Sequence, residues 1–167
     1  MSASVFIRNR QRTRRIDTAF LRRLTLELLA RELRLEDAEL GIYLVGAAKM
    51  AQVNQTHLQH EGSTDVITFD YSDPSPEPRV PKLSIHGELF VCIDDAILQA
   101  GQFRTTWQSE VIRYVIHGVL HLCGYDDLKP AARKIMKRQE NRLLKKLSAR
   151  FAPGRLTSRA SPAARKS

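Results

Sequence analysis

With 167 residues, 43% of them hydrophobic, the chain can bury one sizeable core and is too short for two ordinary domains. Its formal net charge of +9 and pI near 10.0 favour a polyanionic partner, because Lys and Arg that neutralise phosphates release condensed counterions whatever the base sequence. No run approaches the ~18–20 apolar residues of a membrane span, and Arg8, Arg10, Arg12, Arg14 and Arg15 precede the first apolar helix without a secretory core, so a cytoplasmic location without membrane association is expected.

Val5 to Asn9 reads as a short strand, followed by a helix from an Asp17 N-cap to Leu33, with Phe20, Leu21, Leu24, Leu28 and Leu29 on one face. Leu40 to Val45 alternates as a strand, Ala47 to Leu58 suits a helix, and Thr64 to Phe69 is a β-branched and aromatic run entered through a Glu61-Gly62-Ser63 turn. Pro74, Pro76, Pro78 and Pro81 mark an extended surface loop. A fourth strand fits Gly87 to Ile93, a short helix begins near Asp94 or Asp95, and Thr105 to Leu122 is the strongest amphipathic helix. The final helix spans Pro130 to Ala149, with Pro130 tolerated in the first turn because the N–H it lacks would be unpaired there.

Strands followed by helices without strict alternation predict an α+β fold, a four-stranded mixed sheet packed with about five helices, in one domain over residues 1–152. Residues 153–167 are basic and carry no apolar cluster to offset ordering entropy, so they are expected to be a disordered tail. Cys92 and Cys123 lack Cys-x-x-Cys spacing and read as buried free thiols.

The chemistry is concentrated in His117-Gly118-Val119-Leu120-His121-Leu122-Cys123-Gly124-Tyr125-Asp126-Asp127, at the end of the strongest helix. Histidines four apart on a helix share a face, so both rings can converge on one ion. Gly124 can take a left-handed conformation that stops the helix and brings Asp127 back as third ligand. Three protein ligands with a fourth position open to water are the arrangement of a catalytic zinc site. By itself a His-x-x-x-His pair is equally compatible with two ordinary core or surface histidines. The zinc-protease helix has Glu after its first His; here that position is Gly118, which disfavours a peptidase.

Nearby, nine basic residues between Lys129 and Arg150 face a single acidic one, Glu140, a pattern suited either to tracking phosphates or to a solvated helix surface. Glu110, two turns before His117, could support that histidine or form a surface salt bridge. Asp126 is expected to orient the turn, Tyr125 to pack in preference to stacking a base, and Thr64 and Asp65 either to line a cleft or to satisfy turn amides. His57, His60 and His86 are left outside the metal site.

The run from His117 to Asp127 resembles the YbeY family signature His-Gly-x-Leu-His-Leu-x-Gly-Tyr-Asp-His, departing from it in the last position, where Asp127 replaces a third histidine. Asn54 with Gly62-Ser63-Thr64-Asp65-Val66-Ile67-Thr68-Phe69, and Gly87-Glu88-Leu89, are similar to two further family blocks, so the resemblance covers about residues 5–150. It implies an endoribonuclease directed at single strands, acting in 16S rRNA 3′-end maturation and ribosome assembly. It further implies one zinc ion per chain, rRNA and ribosomal particles as partners, and no small-molecule cofactor. The family often carries an arginine six residues before the Thr of its strand motif; Leu58 stands there, so another cation must meet the phosphate, with Arg133, Lys134 and Arg138 of the basic helix as candidates. The competing reading is a ribosome-assembly RNA-binding protein whose metal is mainly structural. The general base is not assigned.

Overall fold

The structure, a computed structural model, describes residues 2–58, 65–74 and 80–157. Its elements in order are β1 (Ser2–Asn9), α1 (Thr18–Glu27), β2 (Asp37–Val45), α2 (Ala47–Leu58), β3 (Val66–Asp70), β4 (Ser84–Cys92), α3 (Ile93–Phe103), α4 (Trp107–Leu122) and α5 (Pro130–Arg150). The strands form one sheet in the order β1-β2-β4-β3. β1 and β4 run parallel to β2, and β3 pairs antiparallel to β4, which makes the sheet mixed and the fold α+β, as expected.

Strand alternation sorts the side chains to two faces. Leu40, Ile42 and Leu44 of β2, with Ile85, Leu89 and Val91 of β4, join the main core with α1, α4 and α5. Val45, Ile67 and Cys92, on the other face, form a smaller core with Met50 and Val53 of α2. Helix α4 is buried on most sides, including Val111, Ile112, Val115, Ile116, Val119 and Leu120. Such a helix is held by its surroundings more than by propensity. Its position between the sheet and α5 fixes the histidines.

One local expectation holds in detail and two change. The Asp17 side chain accepts from Phe20 N at 3.0 Å and so caps α1. The helix expected to continue to Leu33 instead widens into a π segment over Leu28–Glu32, in which Leu33 N donates to Leu28 O at 2.9 Å. The wider turn lets the adjacent Leu28 and Leu29 both reach zero exposure. Helix α3 begins at Ile93, one residue ahead of Asp94, and Asp94 turns back to accept from Ala47 N at 2.6 Å, capping α2.

The tail was expected from Pro153, yet Pro153–Leu156 forms a 3-10 turn on the domain. Leu156 is fully buried, Asp17 N donates to its carbonyl at 2.8 Å, and Thr157 bridges to Ile16. One leucine in a prepared pocket, with its backbone paired, offsets the ordering of a few residues without any apolar cluster. The Glu61-Gly62-Ser63 turn, Thr64, His60, the His57 and Leu58 side chains, the centre of the proline loop and residues 158–167 lie outside the described residues.

Candidate metal centre

Helix α4 is started by Thr106, whose Oγ1 accepts from Ser109 N at 3.1 Å. At its other end Cys123 is followed by Gly124 with φ of 102°, a conformation that a Cβ would strain. Tyr125 N donates to Leu120 O at 3.1 Å, which folds the chain back over the last turn. Asp126 Oδ1 accepts from Leu128 N at 2.9 Å, so Asp126 serves the turn and Asp127 faces the histidines.

The His117 and His121 Nε2 atoms lie 3.1 Å apart, and Asp127 Oδ2 stands 3.4 Å from the second and 3.6 Å from the first. Ligands at ~2.0–2.1 Å from a tetrahedral zinc are separated by ~3.3–3.4 Å, close to this triangle. Among the described residues these three side chains bring their ligand atoms close enough together that they could hold a metal ion.

The tautomers agree with that use. His121 Nδ1 donates to the Tyr125 carbonyl at 3.1 Å, and His117 Nδ1 donates to Glu140 Oε2 at 2.8 Å. Both Nε2 lone pairs then point at each other and at a carboxylate, a donor set that a cation satisfies and water poorly can. Burial disfavours a charged His117, but the hydrogen bond and charge of Glu140, with Asp65 and Asp127 beyond, outweigh it and raise its pKa.

Glu140 is the residue whose role was not legible in the sequence. It is 3% exposed, and its Oε1 accepts from Arg113 Nη1 at 2.8 Å, so one buried carboxylate holds both His117 and Arg113. Burial alone would raise its pKa, but the bonds from His117 and Arg113 and the nearby Lys137 hold it down at about 2. The signal was present: a lone acid within a run of nine bases is out of place on a solvated helix. Glu110 is buried as well, but it accepts from Thr105 Oγ1 at 2.7 Å, so among its described contacts it neither orients His117 nor forms a surface salt bridge.

The remaining expected residues sort by position. Tyr125 packs on the core, and Asp65 lines the site and accepts from Val66 N at 2.8 Å. His86 lies apart on β4 beside Glu39. Both thiols are buried and free, burial pushing Cys92 up to about 11 and Cys123 up to about 12, which makes neither a nucleophile at neutral pH.

Gly118 explains why the glutamate of zinc proteases is missing. A Cβ on it would stand 2.7 Å from Leu89 Cδ2, because α4 meets β4 there with no space between. Gly118→Ala should gain about 1 kcal/mol in helix propensity and lose about 1–3 kcal/mol to overpacking, a net loss of roughly 1 kcal/mol, read as a slightly lower thermal midpoint. Gly118→Glu, which drives an unpaired carboxylate into the core, should give no folded protein.

His117 and Asp127 of the triad line a groove of about 900 Å³. Its lining includes Arg113, Tyr114 and His117 of α4, Arg133, Lys134 and Lys137 of α5, and Gln99 and Phe103 of α3, α4 packing against both of the other helices. Arg138, expected among the phosphate-facing cations, is not a lining residue, and Lys137 takes its place. The helical repeat is the reason: residues 133, 134 and 137 share a face that 138 leaves.

An α+β domain with a His-His-Asp cluster at the mouth of a basic groove is the class that fold and site define. The family whose sequence pattern matches residues 6–148 is described as Endoribonuclease YbeY. Curated relatives of that name include one from Parabacteroides distasonis, 42% identical over 58% of this chain and 62% of its own length. One from Phocaeicola vulgatus is 40% identical over 60% and 67%, and one from Chlorobium luteolum is 33% identical over 80% and 91%. The solution structure of a Thermotoga maritima protein has the same fold, with a TM-score of 0.63 at 22% identity over 95% of this chain and 98% of that one. The chain belongs to the endoribonuclease YbeY family.

Proposed function

We propose that this chain is a metal-dependent endoribonuclease that holds one zinc ion on His117, His121 and Asp127 and hydrolyses single-stranded RNA during rRNA maturation. The observation that carries this reading is the placement of the triad at the mouth of a groove walled by Arg133, Lys134 and Lys137. Family membership supports the reaction class, a nuclease-type hydrolase. A structural zinc has four protein ligands and a closed shell; three ligands facing a groove favour the catalytic reading over an assembly factor with a structural ion.

When bound, zinc supplies a Lewis acid for the phosphoryl oxygen and lowers the pKa of water toward neutrality. The chain's own residues orient and attract. Glu140 and the Tyr125 carbonyl fix the two imidazole tautomers, and the α5 cations draw the phosphate backbone to the triad. In the reaction a water oxygen bonds to phosphorus, one ester P–O bond breaks, and the water's proton passes to the leaving oxygen. The choice of rRNA, of the 16S 3′ end and of ribosomal particles follows the family resemblance, as does the cytoplasm; among the described residues no helix is long and apolar enough to cross a membrane.

The test is cleavage of single-stranded RNA by the zinc-loaded protein, with a casein-like peptide as control. RNA should be cut, chelator should stop the reaction, and the peptide should stay intact. Reversal of Arg133, Lys134 and Lys137 to Glu should weaken RNA binding at least about 100-fold at moderate salt and flatten its salt dependence. Unchanged binding in that variant would remove the basic wall from the mechanism.

A further inference from the structure

We infer that Phe103 is a base-stacking subsite, on which a nucleobase next to the scissile phosphate lies while the α5 cations hold the backbone; this rests on the endoribonuclease reading above. Phe103 is 67% exposed, a large apolar ring left in water, and it lines the same groove as Arg133, Lys134 and Lys137, on the helix that flanks α4 away from α5. Among the described residues its ring has no aromatic partner. The groove therefore offers positive charge from α5 and a bare π surface from α3. A single strand presents those two complementary chemistries on opposite sides, phosphates and unstacked bases.

The corner that carries the ring is built to stay still. Helix α3 ends at Arg104 in the left-handed conformation, φ 56° and ψ 41°, with its N–H bonded to Ala100 O, and Thr105 N donates to the same carbonyl at 3.0 Å. Thr105 Oγ1 is tied to the buried Glu110 at 2.7 Å, and Thr106 caps α4. A non-glycine residue with positive φ persists only where its surroundings hold it. The corner thus fixes the backbone that bears Phe103 to the helix that carries His117.

Charge at the site agrees with this division. The acids of the groove are Asp65, Glu110, Asp127 and Glu140; the last two belong to the metal centre and its support, and Glu110 is buried and hydrogen-bonded. None stands on α3, so no carboxylate beside Phe103 repels the strand, and the ring is free to meet the face of a neutral base. Stacking on a lone ring tolerates any base, which suits an enzyme selecting strandedness more than sequence.

The experiment uses the full-length, zinc-loaded protein and short single-stranded oligoribonucleotides that carry one 2-aminopurine at successive positions. Wild type should quench the probe at one position, Phe103→Trp should keep that quench, and Phe103→Ala should lose it. For an unmodified strand Phe103→Ala should raise KM by about 5-fold to 100-fold with kcat little changed, and an abasic nucleotide at the quenched position should bring wild type to the level of the variant. Bound zinc and the thermal midpoint should not move, since the ring is mostly outside the core. Equal quenching and equal KM in wild type and Phe103→Ala would overturn the subsite while leaving RNA cleavage intact. A wild type that neither binds nor cuts RNA would overturn the endoribonuclease reading, and the subsite with it.

Discussion

His121→Ala is expected to yield a folded protein that keeps less than about a tenth of the zinc carried by wild type and does not cleave RNA. The imidazole is one of the three proposed ligands, in a triangle whose edges are 3.1, 3.4 and 3.6 Å. Loss of an outer partner alone weakens metal sites by about 10–100-fold, so loss of a ligand should exceed that. The fold should survive because the ring is a quarter exposed and the neighbouring core positions Leu120 and Leu122 are untouched. Asp127→Ala should behave alike. Elemental analysis of protein purified without chelator decides the matter: near-stoichiometric zinc in wild type and little in both variants establishes the triad, whereas full zinc in either variant removes that residue from it.

Glu140→Gln is the second large effect, and it separates two properties. The amide carbonyl can accept from His117 or from Arg113 but lacks the charge that favours both, and its NH₂ group would confront one of these donors. Removing one partner of a buried pair typically costs 3–5 kcal/mol; with Arg113 and His117 about a quarter exposed, about 2 kcal/mol is expected. Zinc affinity should fall about 10–100-fold while the stoichiometry at saturation stays the same. The pH dependence gives a sign to check in metal-free protein. Glu140 titrates at about 2 in the folded chain against an ordinary 4.5, so its stabilisation is complete above 4.5 and disappears as pH falls towards 2. The raised His117 acts in the opposite sense: its contribution is complete below the ordinary 6.5 and is lost as pH rises through the folded value. The variant should lack the acid-side loss, as urea midpoints across pH would show; an unchanged acid-side slope would mean that Glu140 does not hold the pair.

The sequence by itself determined most of the elements and the candidate triad that the structure brings together. Apolar periodicity placed α4, the four-residue spacing put both histidines on one face, and Gly124 ended the helix where Asp127 could return, because backbone sterics and helical repeat act over a few residues and are written locally. The Asp17 cap was legible for the same reason. Tertiary structure alone decided what meets across the chain. Glu140 reaches His117 from 23 residues away, Asp94 caps α2 across 47, Leu156 docks beside Asp17, and Phe103 shares a groove with the α5 cations only because the α3–α4 corner turns as it does. Those contacts are set by which faces the core buries and how closely the sheet lets α4 approach, and no single-segment pattern carries that information.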